Sequence, residues 1–156
     1  MKKVVLTCLT ASLLFSCKKD DKKDAETSNL GKNEFKIGNT TYNKGSILSQ
    51  SGTIILTGVS GTSGGTITVS FNEGAPSSGG TFKIVSLEDQ DMADEISIAA
   101  STVMGSTVKN YKSETNSSNP SAKVTVDGGK VKVEFSDLTV KSDDGSTEKV
   151  SANIAE

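Results

Sequence analysis

The densest set of side chains able to do chemistry lies between Glu88 and Glu95, where Glu88, Asp89, Asp91, Asp94 and Glu95 place five carboxylates in eight residues. Oxygen ligands at this density suit Ca²⁺, which takes six to eight of them in flexible geometry, and Asp89, Asp91 and Asp94 are the candidate metal ligands. The Asp-x-Asp/Asn-x-Asp/Asn-Gly loop pattern is absent, so the run also reads as a solvated connection between strands. Asp143-Asp144-Gly145 has the composition of a tight turn rather than of a site. A pair of carboxylates could hydrolyse a glycosidic bond if one kept a raised pKa and the two were held about 5 to 9 Å apart. Glu95 and Glu134 are the residues considered for this, but both fall at strand positions that alternate outward, where no desolvation is expected.

What is missing narrows the chemistry further. The chain of 156 residues has no His, no Arg and no Trp. Nucleophile systems that use His as base are excluded, as are histidine metal sites. The bidentate guanidinium clamp for phosphate or carboxylate is missing too. A serine nucleophile would have only lysine as its base, and that route is set aside. From Leu30 onward eleven lysines face fifteen acids, a net charge near −4, which offers nothing to nucleic acid. Among the aromatics, Phe35, Phe71 and Phe82 are expected to pack in the core. Tyr111, in a polar stretch, is the candidate exposed ligand contact. With no Trp and two Tyr, a stacking platform for sugars is thinly supplied. No cofactor and no catalytic residue is expected.

The amino terminus carries a different signal. Lys2 and Lys3 precede a mostly apolar run from Val4 to Phe15, followed by Ser16, Cys17 and a burst of charge. A helix of that length reaches only about 18 Å, short of the roughly 30 Å of a hydrocarbon core, so the run reads as a removed leader and not as a retained span. Leu14-Phe15-Ser16-Cys17 resembles the lipobox of bacterial lipoproteins. The resemblance implies cleavage before Cys17 and acylation of its thiol and amine. Two or three acyl chains give firm attachment, each buried methylene adding about 0.8 kcal/mol. Cys8 leaves with the leader, so the mature chain has no disulfide. Residues 17–32 read as the lipidated cysteine and a disordered charged tether, and residues 33–156 as the folded domain. Lys19-Asp20-Asp21 resembles the signal that sends some Gram-negative lipoproteins to the outer face of the outer membrane. The expected location is therefore the cell envelope, lipid-anchored in the outer membrane, with surface exposure a further possibility.

The elements that must position any site are strands. Apolar residues repeat at every second position in nearly every segment, so the domain is expected to be all-β, an antiparallel β-sandwich or partly closed barrel of about nine strands. Residues 34–44 read as an opening hairpin turning at Gly38-Asn39. Thr53 to Ser60 reads as a central strand apolar on both faces, and Thr66 to Phe71 as a half-buried one. Thr81 to Val85 and the Ile96, Ile98 pair follow. Val124 to Val126 and Val131 to Phe135 form a hairpin about Asp127-Gly128-Gly129. Leu138 and Val140 then lie against Val150, Ala152 and Ile154. Residues 102–121 are expected to hold one short edge strand between mobile loops.

The segments Phe35 to Tyr42, Gly80 to Ile84 and Val124 to Phe135 together resemble small β-sandwich lipoproteins of unknown function from Gram-negative bacteria. That resemblance implies a fold and no activity. The functional expectation is a non-catalytic binding or structural accessory domain, held to the membrane through Cys17, with an envelope protein or glycan as its partner. The alternatives are a carrier enclosing a small apolar ligand in a barrel cavity and, third, a carboxylate-dependent glycoside hydrolase.

Overall fold

The computed structural model describes residues 28–156. The leader over 1–16, the lipidation site Cys17 and the tether up to residue 27 lie outside the described residues. The structure is all-β, with eleven strands in one mostly antiparallel sheet. They are β1 Glu34–Ile37, β2 Thr40–Tyr42, β3 Ile47–Gln50, β4 Thr53–Ser60, β5 Ser63–Phe71, β6 Gly80–Val85, β7 Glu95–Met104, β8 Thr107–Ser113, β9 Ala122–Asp127, β10 Lys130–Ser142 and β11 Thr147–Ala155. A single 3-10 turn, Leu87–Asp89, interrupts the connection from β6 to β7.

The sheet runs β2-β1-β11-β10-β9-β6-β7-β5-β4-β3, and β8 pairs with both β10 and β7. The pairings thus return on themselves through β8, giving a partial ring. It is not a true barrel, because β8 meets β10 over only three residue pairs and β3 ends the sheet as an edge. At the other side, Asn43 bridges to Val59 and draws the end of β2 against β4. One buried cluster fills the concave side, from Phe35 through Ile67, Ile98, Val133 and Phe135 to Ile154. Alternation decides which residues enter it, since neighbouring side chains on a strand point to opposite faces.

The closure between β2 and β4 depends on two glycines. Phe35 and Tyr42 stack with ring centroids 5.0 Å apart. They lie over Gly58 and Gly65, which pair across β4 and β5. A Cβ on Gly58 would sit 2.9 Å from the Phe35 ring, and one on Gly65 would sit 2.8 Å from the ring of Tyr42. Only a residue without a side chain admits the rings this close.

Several expectations are corrected. Strands β6 and β7 are parallel, not antiparallel, over Lys83↔Glu95 to Val85↔Ser97. The overlap is three pairs, so the return connection has only about 10 Å to travel and needs no crossover helix. The strands expected at Val131 to Phe135 and at Leu138 to Val140 are one strand, β10, with an irregularity between Phe135 and Leu138. Asp137 takes a positive φ of 54° there, and its N–H donates to Ser151 Oγ at 2.9 Å. The extra residue restores the inward phase of Leu138 and Val140, as a β-bulge does. Strand β4 carries apolar residues on both faces but is buried on only one, since Ile55 on the outer face is half-buried and Val59 is exposed. Residues 102–121 supply the end of β7 and the whole of β8, which is a connecting strand and not an edge.

Candidate functional site

A well-formed groove lies on the outer, convex side of the sheet. Thr68 and Ser70 of β5 and Ser97 and Ala99 of β7 form its floor, alternating with the inward Ile67, Val69, Ile98 and Ala100. Small side chains leave the floor low, and the chain after β6 rises beside it. Leu87, Glu88 and Asp89 form one wall, and Lys112, Glu114 and Thr115 form the other, enclosing a groove of about 600 Å³. Ser97 is buried although it faces outward, because the wall leans over it. Beyond Ser70 and Thr68 the same face continues to Thr53 and Ile55 of β4 and to Gln50 and Leu48 of β3. A second depression of about 310 Å³ lies there.

Hydrogen bonds from a long reach of chain hold the walls. Asp89 accepts from Ser86 Oγ at 2.7 Å and from Thr115 Oγ1, and these hydroxyls draw its carboxyl below the usual range. Thr115 Oγ1 in turn accepts from Ser86 N–H at 3.0 Å, which ties the two walls together. Gln90 Nε2 donates to the carbonyls of Ser70 at 2.9 Å and Glu95 at 3.2 Å. Glu95 accepts from Lys83 Nζ at 2.8 Å and from the N–H groups of Asp91 at 3.0 Å and Met92 at 3.3 Å. These partners hold its carboxyl at about 2, the Lys83 bond contributing most. Lys83 is correspondingly raised.

At the base of the groove β7 changes neighbour, pairing with β6 up to Ser97 and with β8 from Ala99. Ile98, between the two, donates its N–H to Ser113 Oγ at 3.0 Å, and the same hydroxyl donates to the Val85 carbonyl at 2.5 Å. One side chain thus satisfies the two backbone groups that the fork would otherwise strand. Sequence reasoning passed over Ser113, and its only signal is a small polar residue in the inward phase set by Tyr111.

The residues singled out in the sequence are dispersed. Asp89 serves the groove wall, while Asp91 and Asp94 belong to the turn that Glu95 caps. Among the described residues no group of three His, Cys, Asp or Glu is placed to hold a metal ion. Asp144 caps its own turn through Ser146, with N–H at 2.9 Å and Oγ at 2.6 Å, which lowers its carboxyl to about 2. Glu95 and Glu134 are buried, contrary to expectation, Glu95 at 2 % exposure and Glu134 at 8 %. Both point outward as read, but the 90–94 turn covers Glu95. Glu134 lies beside the buried Asn153, whose Nδ2 donates to the Leu30 carbonyl, and is ion-paired to Lys132 at 3.0 Å. Ser106 to Lys109 and Ser146 to Lys149 have Ser-x-x-Lys spacing, yet Lys109 is ion-paired to Asp144 and Lys149 donates to the Asp137 carbonyl. Tyr111 is a correction as well: it is buried at 6 % exposure, opposite the small Ala100. Strand phase sends Val108 and Lys112 outward and Tyr111 inward, where it lies near Tyr42. Burial and that neighbour push the Tyr42 phenol up.

The groove therefore offers hydroxyls, the Lys112 ammonium and the Glu88 carboxylate around a small-residue floor, while Asp89 is held by Ser86 and Thr115 and Glu114 is ion-paired to Lys141 at 3.0 Å. Those groups are able to hydrogen-bond and to carry charge. No protein-family model matches this chain, and neither a curated protein nor a solved structure is detectably similar to it.

Proposed function

We propose that this protein is a lipid-anchored envelope lipoprotein whose β-domain binds a partner on its convex face and performs no catalysis. The observation that carries the reading is the position of the groove. The concave side is filled by side chains, and a groove of about 600 Å³ opens on the outside, between Ala99 and the Leu87–Asp89 turn. A carrier of apolar molecules calls for the opposite arrangement, an apolar space within the sheet. Glycoside hydrolysis calls for one carboxyl kept protonated near neutrality. Glu95 is held ionised instead.

The anchor rests on Leu14 to Cys17 and on the charge that follows. Labelled palmitate is expected to enter the wild-type chain expressed in a Gram-negative host and to be absent from Cys17→Ser. Equal labelling of the two would overturn the anchor. For the groove, Ala99→Trp fills the floor from an exposed strand position. Partners cross-linked to the wild-type protein on intact cells are expected to be lost from this variant while its melting temperature is kept. An unchanged set of partners would remove the groove from the function. Protease shaving of the same cells locates the domain, since full protection would end the surface assignment.

A further inference from the structure

The sheet has one edge that nothing covers among the described residues. Among the described residues strand β3 pairs only with β4, and Leu48, Ser49 and Gln50 are exposed. Register and hydrogen bonding state which backbone groups are free. Ser46 accepts from Thr57 N–H at 3.0 Å, and Ile47 pairs with Leu56. In an antiparallel ladder alternate residues turn their N–H and C=O toward the same neighbour. Ser46, Leu48 and Gln50 therefore face β4, while Ile47 and Ser49 present a donor and an acceptor each to the outside.

Edges of this kind are ordinarily protected by lysine, proline or an inward charge. Here no charged residue occurs from Gly45 to Asn72, the whole of β3, β4 and β5, in a domain whose net charge is near −4. Two copies of an acidic body approach each other most readily through a surface without charge.

We propose that β3 is a self-association edge, pairing antiparallel with β3 of a second copy about a two-fold axis through Leu48. In that register Ile47 of each chain exchanges hydrogen bonds with Ser49 of the other, so all four outward groups are satisfied. The arrangement is isologous, the same residues serving on both sides. Leu48, 58 % exposed on the convex face, meets its own copy as the non-hydrogen-bonded pair, with Cα atoms about 4.5 Å apart. The edge is four residues long, which places the contact in the small, transient class, below about 1,200 Å² in total. This inference is independent of the lipid anchor and of the groove.

The test uses the full chain with Cys8→Ser and Cys17→Ser, carrying either Leu48→Cys or Val108→Cys, at about 1 mM. A Cα separation near 4.5 Å falls within the disulfide range of about 4.4–6.8 Å, so Leu48→Cys is expected to oxidise to a covalent dimer. Val108→Cys, equally exposed at 57 %, is expected to give less than a tenth as much. In sedimentation of the same Cys8→Ser, Cys17→Ser chain, Leu48→Lys is expected to weaken self-association at least tenfold without lowering the melting temperature, because the side chain is already in solvent. A Cys8→Ser, Cys17→Ser chain that keeps Leu48 and stays monomeric at this concentration overturns the proposal. So does equal cross-linking at positions 48 and 108, or association that survives Leu48→Lys.

Discussion

Replacing Ser113 by Ala isolates the one side chain on which the fork between β6, β7 and β8 depends. The hydroxyl accepts from Ile98 N–H and donates to the Val85 carbonyl, and Ser113, Ile98 and Val85 are each at most 1 % exposed. Alanine removes one oxygen and leaves both backbone groups buried without partners. An unsatisfied buried polar group costs about 1–3 kcal/mol, and a carbonyl tolerates the loss better than an N–H, so the expected destabilisation is about 2–4 kcal/mol. At this domain size 1 kcal/mol moves the melting temperature by roughly 4 °C, which sets the expected fall at about 8–16 °C. Urea unfolding followed by circular dichroism reads the same quantity as a lower midpoint at unchanged slope. Lys112→Ala, at the exposed neighbouring position, is expected to stay within about 0.5 kcal/mol of wild type and serves as the control. If Ser113→Ala is as stable as that control, the hydroxyl does not bridge the fork and the account of the groove's base is wrong.

Glu95→Gln is expected to cost about 1–2 kcal/mol at pH 7, the low end for charged hydrogen bonds, because Lys83 is 62 % exposed and screened. Since the Glu95 carboxyl titrates at about 2 in the fold and near 4.5 otherwise, its contribution is complete above pH 4.5 and is lost as pH falls toward 2. Wild type and variant should therefore converge in acid, and a gap that persists at pH 2 contradicts the ion pair. Gly65→Ala places a Cβ 2.8 Å from the Tyr42 ring and should cost about 1–3 kcal/mol in chemical denaturation. Tyr42→Leu should recover part of that loss, and simple additivity of the two changes would mean that the ring is not what the methyl meets. Millimolar Ca²⁺ is expected to leave the melting temperature unchanged, because Asp89 is committed to Ser86 and Thr115; a rise of several degrees would show that the acidic run binds the ion.

The all-β class, the half-buried β5 and the 124–135 hairpin were legible in the chain because each depends on alternation and turn composition, which are local. Tyr111 shows the limit of that reasoning. Its segment is polar, so composition placed it outside, while the pairing of β8 with β7 and β10 sets its phase inward. Leu138 lies against Val150 as its alternation implies, but its continuity with Phe135 in one strand depends on the bulge at Asp137, which no local pattern announces.

By itself the sequence settled which residues can alternate in a sheet, where turns interrupt them, and which chemistries are absent for want of His and Arg. It also placed the charge-free run from Gly45 to Asn72 and the thiol at Cys17. Only the tertiary structure decided that β6 runs parallel to β7, that Ser113 bridges the fork between them, and that the groove opens on the convex side. The physical reason is that periodicity states which side chains share a face, whereas strand order and edge exposure follow from contacts between residues far apart in the chain, which no local pattern encodes.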